Sequence, residues 1–123
     1  EPELAYIAAS TANEEDIERI KQAYEGMEKA TTVEEFIEPD IQFHLAIAKA
    51  THNDLLAYMS KMLVLPLQQS IQVTSLRPNL QGHSLPRHKA ILTAIENKDP
   101  LSARHASLVQ LDDTKMAYDL IKK

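Results

Sequence analysis

The stretch Ile37-Glu-Pro-Asp-Ile-Gln-Phe-His-Leu-Ala-Ile-Ala48 decides the fold, because it places two polar side chains on the apolar face of a helix. Asp40 and His44 are four residues apart, which is about one helical turn, so they share a face. The apolar residues that recur on that face at steps of three and four are Ile37, Ile41, Ile47 and Ala48. Burying a carboxylate and an imidazole without partners is costly. We therefore expect the rest of the chain to supply partners for them.

The composition favours a single all-helical domain over residues 1–123. The chain is 44% hydrophobic and contains only two glycines, and no run of β-branched residues alternates with polar ones for long enough to form a strand. A chain of 123 residues can bury one core but not two. We therefore expect an all-α fold.

Capping residues predict where six helices begin. The first helix opens the chain at Glu1-Pro2, with no cap ahead of it, which suggests further chain upstream. The residues suited to the N-caps of the later helices are Asn13, Thr31 or Thr32, Asn53 or Asp54, Ser84 and Asp99. The second helix should end near Ala30, and Pro39 should either restart or kink the third. Arg77–Gly82 is expected to be a loop.

The fourth predicted helix carries a wide apolar face. This face consists of Leu55, Leu56, Met59, Met62, Leu63 and Leu65. A stripe of this width normally faces the interior. We therefore expect the fourth helix to be central to the core.

Charge and composition exclude several classes of protein. Without cysteine, a metal site must use nitrogen and oxygen donors. A net charge of -5 argues against nucleic-acid binding by this segment itself, and no apolar run approaches the roughly 20 residues of a membrane span. We expect a soluble, cytoplasmic domain.

Two further polar residues lie on predicted inward faces, on the last two helices. These helices should pack antiparallel about Asp99, and His88 and Gln110 each lie eleven residues from it. Both are thus about 16 Å from the turn, side by side. Together with Asp40 and His44 they can meet in the bundle interior, where an aspartate and two histidines suit zinc, nickel or manganese. They can equally be core residues that hydrogen-bond one another, and Asp40 can be a cap after Pro39.

The same residues, in their order and spacing, resemble a known family. Asp40-Ile-Gln-Phe-His44-Leu-Ala-Ile is followed by Asn53, Leu55-Leu56, His88-Lys-Ala-Ile91-Leu-Thr-Ala-Ile95 and Asp99 to Ala103. This set, with the start Glu1-Pro-Glu-Leu-Ala-Tyr-Ile-Ala-Ala, resembles the ligand-sensing C-terminal domain, the FCD domain, of FadR-subgroup GntR transcription regulators. The resemblance covers essentially the whole chain.

The resemblance implies an antiparallel bundle of six to seven helices, preceded in the full protein by a winged helix-turn-helix that binds DNA. In metal-binding members an aspartate and three histidines hold a divalent metal, and a small carboxylate or sugar acid binds over it. Asp40, His44 and His88 match the first three ligands, and Gln110 stands where the third histidine is expected. A glutamine carbonyl oxygen is a poorer ligand than imidazole for zinc-like metals, so metal affinity should be weakened.

Three more residues bear on this site. Arg77 and Arg87 are candidates, with Gln110, for binding the effector, since the guanidinium fork can pair with both carboxylate oxygens. His105 lies about 140° around its helix from Gln110 and should be a surface or half-buried residue rather than a replacement ligand.

The leading hypothesis is that this chain is the effector-binding and dimerising half of a bacterial transcription repressor. It would bind a small anionic metabolite. We expect contact with DNA only through an N-terminal domain that is missing from this chain. One alternative is a metal-free structural dimerisation bundle. A small metalloenzyme is the other, but the chain has no Glu-x-x-His pair of the kind that di-iron bundles use. Nor does it offer an obvious nucleophile and base.

Overall fold

The computed structural model describes residues 2–62 and 80–110, and within them all the regular secondary structure is helical. In chain order the helices are α1 (Pro2–Thr11), α2 (Glu14–Lys29), α3 (Val33–Lys49), α4 (Asp54–Met62), α5 (Leu80–Glu96) and α6, which begins at residue 100 and is described to residue 110. The all-α prediction is confirmed. Three residues named in the sequence analysis, Arg77, Leu63 and Leu65, lie outside the described residues.

The predicted caps begin the helices as expected. Asn13 accepts a hydrogen bond from the backbone N–H of Asp16 at 2.9 Å and starts α2. Thr32 caps α3 by accepting from the N–H of Glu35 at 3.1 Å, whereas the Glu35 carboxylate accepts from the N–H of Thr31. The remaining two caps are Asn53 on α4 and Asp99 on α6.

The start of the fifth helix was predicted wrongly. Leu80 to Gly82 belong to the first turn of α5, so the loop predicted over residues 77–82 is wrong for these three, and Ser84 lies inside the helix rather than capping it. A glycine costs a helix only about 1 kcal/mol. Half-buried Leu85 packs against the core, and tertiary contact of this kind outweighs a weak local preference.

Helix α3 is the centre of the bundle. It packs most extensively against α2 and also contacts α1 and α4, while α5 packs against α1 and α2. It runs without interruption through Pro39, which lies against α2 at Gly26. A Cβ at Gly26 would stand 3.1 Å from the Cβ of Pro39, so the close approach of the two helices depends on the missing side chain. The largest fully buried apolar side chains are Ile20, Met27, Phe43, Ile91, Leu92 and Ile95.

Helix α4 does not occupy the core position expected of it. Leu55, Met59 and Met62 are 66%, 53% and 64% exposed, whereas Ser60 is buried. The prediction of a central apolar face is therefore wrong for these three residues, while Leu56 on the same helix is half-buried. The short connection after α3 sets which side of α4 meets α3, and it turns through His52, whose φ of 55° is left-handed. No helix among residues 2–62 and 80–110 is long and apolar enough to cross a membrane.

Candidate metal centre

Asp40, His44 and His88 come together in the interior, as the sequence predicted. The Oδ1 atom of Asp40 lies 3.2 Å from Nε2 of His44 and 2.9 Å from Nε2 of His88. The three residues are 5%, 7% and 0% exposed. One ligand atom from each lies within 4.8 Å of the others. The two helices thus direct one oxygen and two nitrogens towards a common point.

Helical spacing and aromatic packing place these side chains. Asp40 and His44 are one turn apart on α3, and His88 lies on the buried stripe of α5 with Ile91 and Ile95. The ring of Phe43 meets the edge of the His88 ring, with centroids 4.9 Å apart, and the ring of His44 with centroids 5.8 Å apart. Edge-to-face contacts restrict ring rotation, so Phe43 holds both imidazoles in the orientation that faces Asp40.

The hydrogen bonds of His88 determine which of its nitrogens carries a proton. Its Nδ1 lies 2.8 Å from the backbone carbonyl oxygen of Ser84, which can only accept, so Nδ1–H is the donor. In a neutral ring Nε2 then has a lone pair directed at the Asp40 carboxylate 2.9 Å away. Two acceptors at that distance require a second proton on the ring or a cation shared by both groups. A divalent metal ion meets this requirement without charging the imidazole.

The carboxylate is ionised in this environment. Burial by itself raises the pKa of Asp40, but in the metal-free site the hydrogen bonds from His44 and from a His88 ring that carries both protons outweigh it and hold the pKa of Asp40 well below its ordinary value. A buried carboxylate with two neutral imidazoles is the donor set that zinc, nickel or manganese accepts. The residues present therefore fit a divalent metal.

The other predicted site residues are more dispersed. Gln110 is half-buried on α6, Arg87 is exposed on α5 one residue before His88, and His105 is exposed on α6, in line with the surface role predicted for it. Sequence reasoning treated Ser84 only as a cap. Its spacing of four residues before His88 was the available signal for the carbonyl contact that orients the ring.

A second buried polar cluster surrounds Asp16 and was also missed. This side chain is 1% exposed and accepts hydrogen bonds from the N–H of Asn13 at 2.9 Å, Arg19 at 2.7 Å and Nε2 of His52 at 2.6 Å. Burial raises the pKa of Asp16, but the bonds from Asn13, Arg19 and His52 together lower it below its ordinary value. The cluster ties the beginning of α2 to the turn between α3 and α4, a structural role.

An outer groove of about 780 Å³ lies between α2, α3 and α4. Its floor includes Ala23, Gly26, Pro39 and Ala46, and its rim carries both basic and acidic side chains. Asp40, His44 and His88 do not line it. The outer groove is therefore separate from the candidate metal centre.

Comparison with known proteins gives a consistent result. Residues 1–113 match the FCD domain family. The chain is 37% identical over 130 residues to the Uxu operon transcriptional regulator of Escherichia coli (strain K12), covering 94% of this chain and 48% of that protein. It is 29% identical over 114 residues to the galactonate operon transcriptional repressor of the same organism, covering 90% and 49%. The chain thus spans about half the length of these relatives, both of which are named as transcription regulators.

Proposed function

The chain belongs to the FCD domain family, and we propose that it is the effector-sensing domain of a bacterial transcription repressor that binds a small carboxylate or sugar acid in the bundle interior over a divalent metal. The family relation makes it a regulatory domain and not an enzyme. The observation that carries the metal part of the proposal is the convergence of Asp40, His44 and His88, with Nδ1 of His88 already donating to Ser84.

The charge of the site supports an anionic effector. A divalent ion held beside the single Asp40 carboxylate would leave one net positive charge at the site. That charge would attract the carboxylate of an effector, and a hydroxyl next to that carboxylate would supply a second ligand to the ion. The galactonate operon repressor bears the name of a sugar acid, which has both groups. Gln110, Arg77 and Arg87 are the candidates for contacting the effector, and Gln110 is the reason to expect weaker metal binding than a third histidine would give.

Control of DNA binding follows from differential affinity. An effector that binds one arrangement of a homodimer more tightly shifts the population towards it. We propose that this shift changes how the attached DNA-binding domains are presented to DNA. In this proposal the DNA is contacted only through a region outside this chain.

A metal-free structural bundle is the second candidate, because the three side chains also form a closed hydrogen-bond network if one imidazole carries two protons. Metal analysis separates the two. After loading with zinc or nickel and desalting, we expect about one metal per chain, lost in His44→Ala and retained in His105→Ala, which removes an exposed histidine from α6. A wild-type chain that retains no metal would eliminate the metal centre.

The effector is tested separately by calorimetry. Galactonate and related sugar acids are titrated into the metal-loaded chain, with neutral galactose as the control for hydroxyl binding alone. We expect heat of binding from an acid and none from the neutral sugar. Failure of every sugar acid and small dicarboxylate to bind would refute the effector part while leaving the metal result unaffected.

A further inference from the structure

One surface of the molecule has no role in the proposed site. On α4, Leu55, Tyr58, Met59 and Met62 are 66%, 61%, 53% and 64% exposed, and their spacing places them on one side of the helix, away from buried Ser60. We call these four residues the α4 stripe. Contiguous exposed apolar patches on soluble proteins generally mark interaction sites.

We propose that the α4 stripe is the surface on which a second copy of this chain docks, with the two α4 helices antiparallel across a two-fold axis. The inference rests on the homodimer in the proposed function and specifies which surface forms it. It does not depend on metal or effector binding, because the stripe and the candidate metal centre share no residue.

The charges beside the stripe favour a second copy over an unrelated partner. Asp54 and Lys61 lie seven residues apart, two turns along the same flank of α4, and neither pairs with another residue in the described part of the chain. In an antiparallel pair related by a two-fold axis, equal flanks face each other with their ends exchanged. Asp54 of each copy then lies opposite Lys61 of the other, so that one helix provides two complementary charge pairs. In a parallel pair, the flank that carries Asp54 and Lys61 would face the other flank of the second helix, so these charge pairs would not form.

The outer groove supplies the area that α4 alone lacks. A stable interface buries about 800 Å² on each partner, and a helix of nine residues is only about 13.5 Å long. Four residues of α4 also line the groove, so the stripe and the groove are continuous; they are Asp54, Ala57, Tyr58 and Lys61. The groove surface beside α4 can therefore contact the other copy next to the α4 pair, and the two-fold axis repeats that contact.

The first experiment measures the oligomeric state of the 123-residue chain by sedimentation velocity over a range of concentrations. We expect a dimer, and we expect Leu55→Glu to raise its dissociation constant at least about tenfold. Leu101→Glu is the matched control, because Leu101 is a 69% exposed leucine on α6, outside the stripe. It should leave the dimer unchanged. A chain that is monomeric at every concentration, or equal weakening by both variants, overturns the proposal.

Charge exchange tests the antiparallel arrangement. Asp54→Lys and Lys61→Asp should each weaken the dimer, and the double variant should restore it, because the pairs are re-formed with reversed signs. Circular dichroism melting of each variant checks that α4 remains folded. Single variants that weaken the dimer without rescue by the double exchange would refute the antiparallel pairing.

A cross-link supplies a measurement that does not require a destabilising charge. The chain has no cysteine. Of the four residues of the α4 stripe, Tyr58 lies nearest the midpoint between Asp54 and Lys61, and hence nearest the proposed axis. In the Tyr58→Cys variant, position 58 of one chain should cross-link to position 58 of the second chain under mild oxidation or with a short bis-maleimide. The Leu101→Cys variant should not cross-link in this way. Cross-linking through position 101 but not position 58 would place the dimer on another surface and overturn the proposal.

Discussion

Replacing Asp40 by Asn tests the central geometry of the site in the metal-free protein. The substitution keeps the shape of the side chain but removes the charge that two buried imidazoles share. Removing one member of a buried charged pair costs about 3–5 kcal/mol, and we expect the lower end, about 3 kcal/mol, because the amide oxygen can still accept one hydrogen bond.

That free energy converts into a measurable change in melting temperature. With an unfolding entropy of about 2.1 cal/mol/K per residue, a chain of 123 residues has about 0.26 kcal/mol/K. A loss of about 3 kcal/mol therefore lowers Tm by about 12 °C. The assay is urea and thermal unfolding in chelator at neutral pH.

Glu38→Gln is the matched control for Asp40→Asn. It removes the same charge from the same helix, but Glu38 is exposed and bonds only to exposed Gln42 within the described residues, at 2.9 Å. We expect it to change the free energy of unfolding by at most about 0.5 kcal/mol. If Asp40→Asn is no more destabilising than Glu38→Gln, the carboxylate does not bind the two histidines as described, and the reasoning fails.

Three further outcomes are expected. Asp16→Ala should destabilise the chain by about 2 kcal/mol in unfolding assays, against at most about 0.5 kcal/mol for Glu15→Ala at the exposed neighbouring position. Folding lowers the pKa of Asp16, so its contribution to the free energy of unfolding is present above the unfolded pKa near 4 and is lost as the pH falls through the folded pKa. If the difference in stability between the wild-type chain and Asp16→Ala grew on acidification, this expectation would be contradicted. Gly26→Val should cost about 2 kcal/mol in the same assay, since its Cβ meets Pro39, and unchanged stability would show that the helices separate freely. Gln110→His should raise zinc affinity about tenfold by calorimetry if position 110 faces the metal, and no gain would place it elsewhere.

Much of the fold could be predicted because it depends on local chemistry. Asn13, Thr32, Asn53 and Asp99 can satisfy the first N–H groups of a helix from their own side chains, so helix starts were readable from single residues. The α5 start failed because the preference of Gly82 is small compared with core packing.

The candidate site was predictable in part for the same reason. Asp40 and His44 share a face by helical period alone, and the stripe of α5 includes His88. That all three meet at one oxygen depends on the relative rotation of α3 and α5, the two helices that the contact between Phe43 and the His88 ring joins. The proton on Nδ1 of His88 follows from the Ser84 carbonyl, whose direction is visible only in the folded backbone.

By itself the sequence determined that the chain is helical, where most helices begin, and that an aspartate and two histidines lie on apolar faces. Only the tertiary structure decided what those faces contact. Leu55, Met59 and Met62 have the spacing of a core stripe yet face outward, while the acidic first-turn residue Asp16 is buried. The physical reason is that periodicity defines the apolar side of a helix, but burial depends on which neighbours the connecting turns bring against it. In the stretch around Asp40 the two levels agree, because its apolar face is also the face that the neighbouring helices cover.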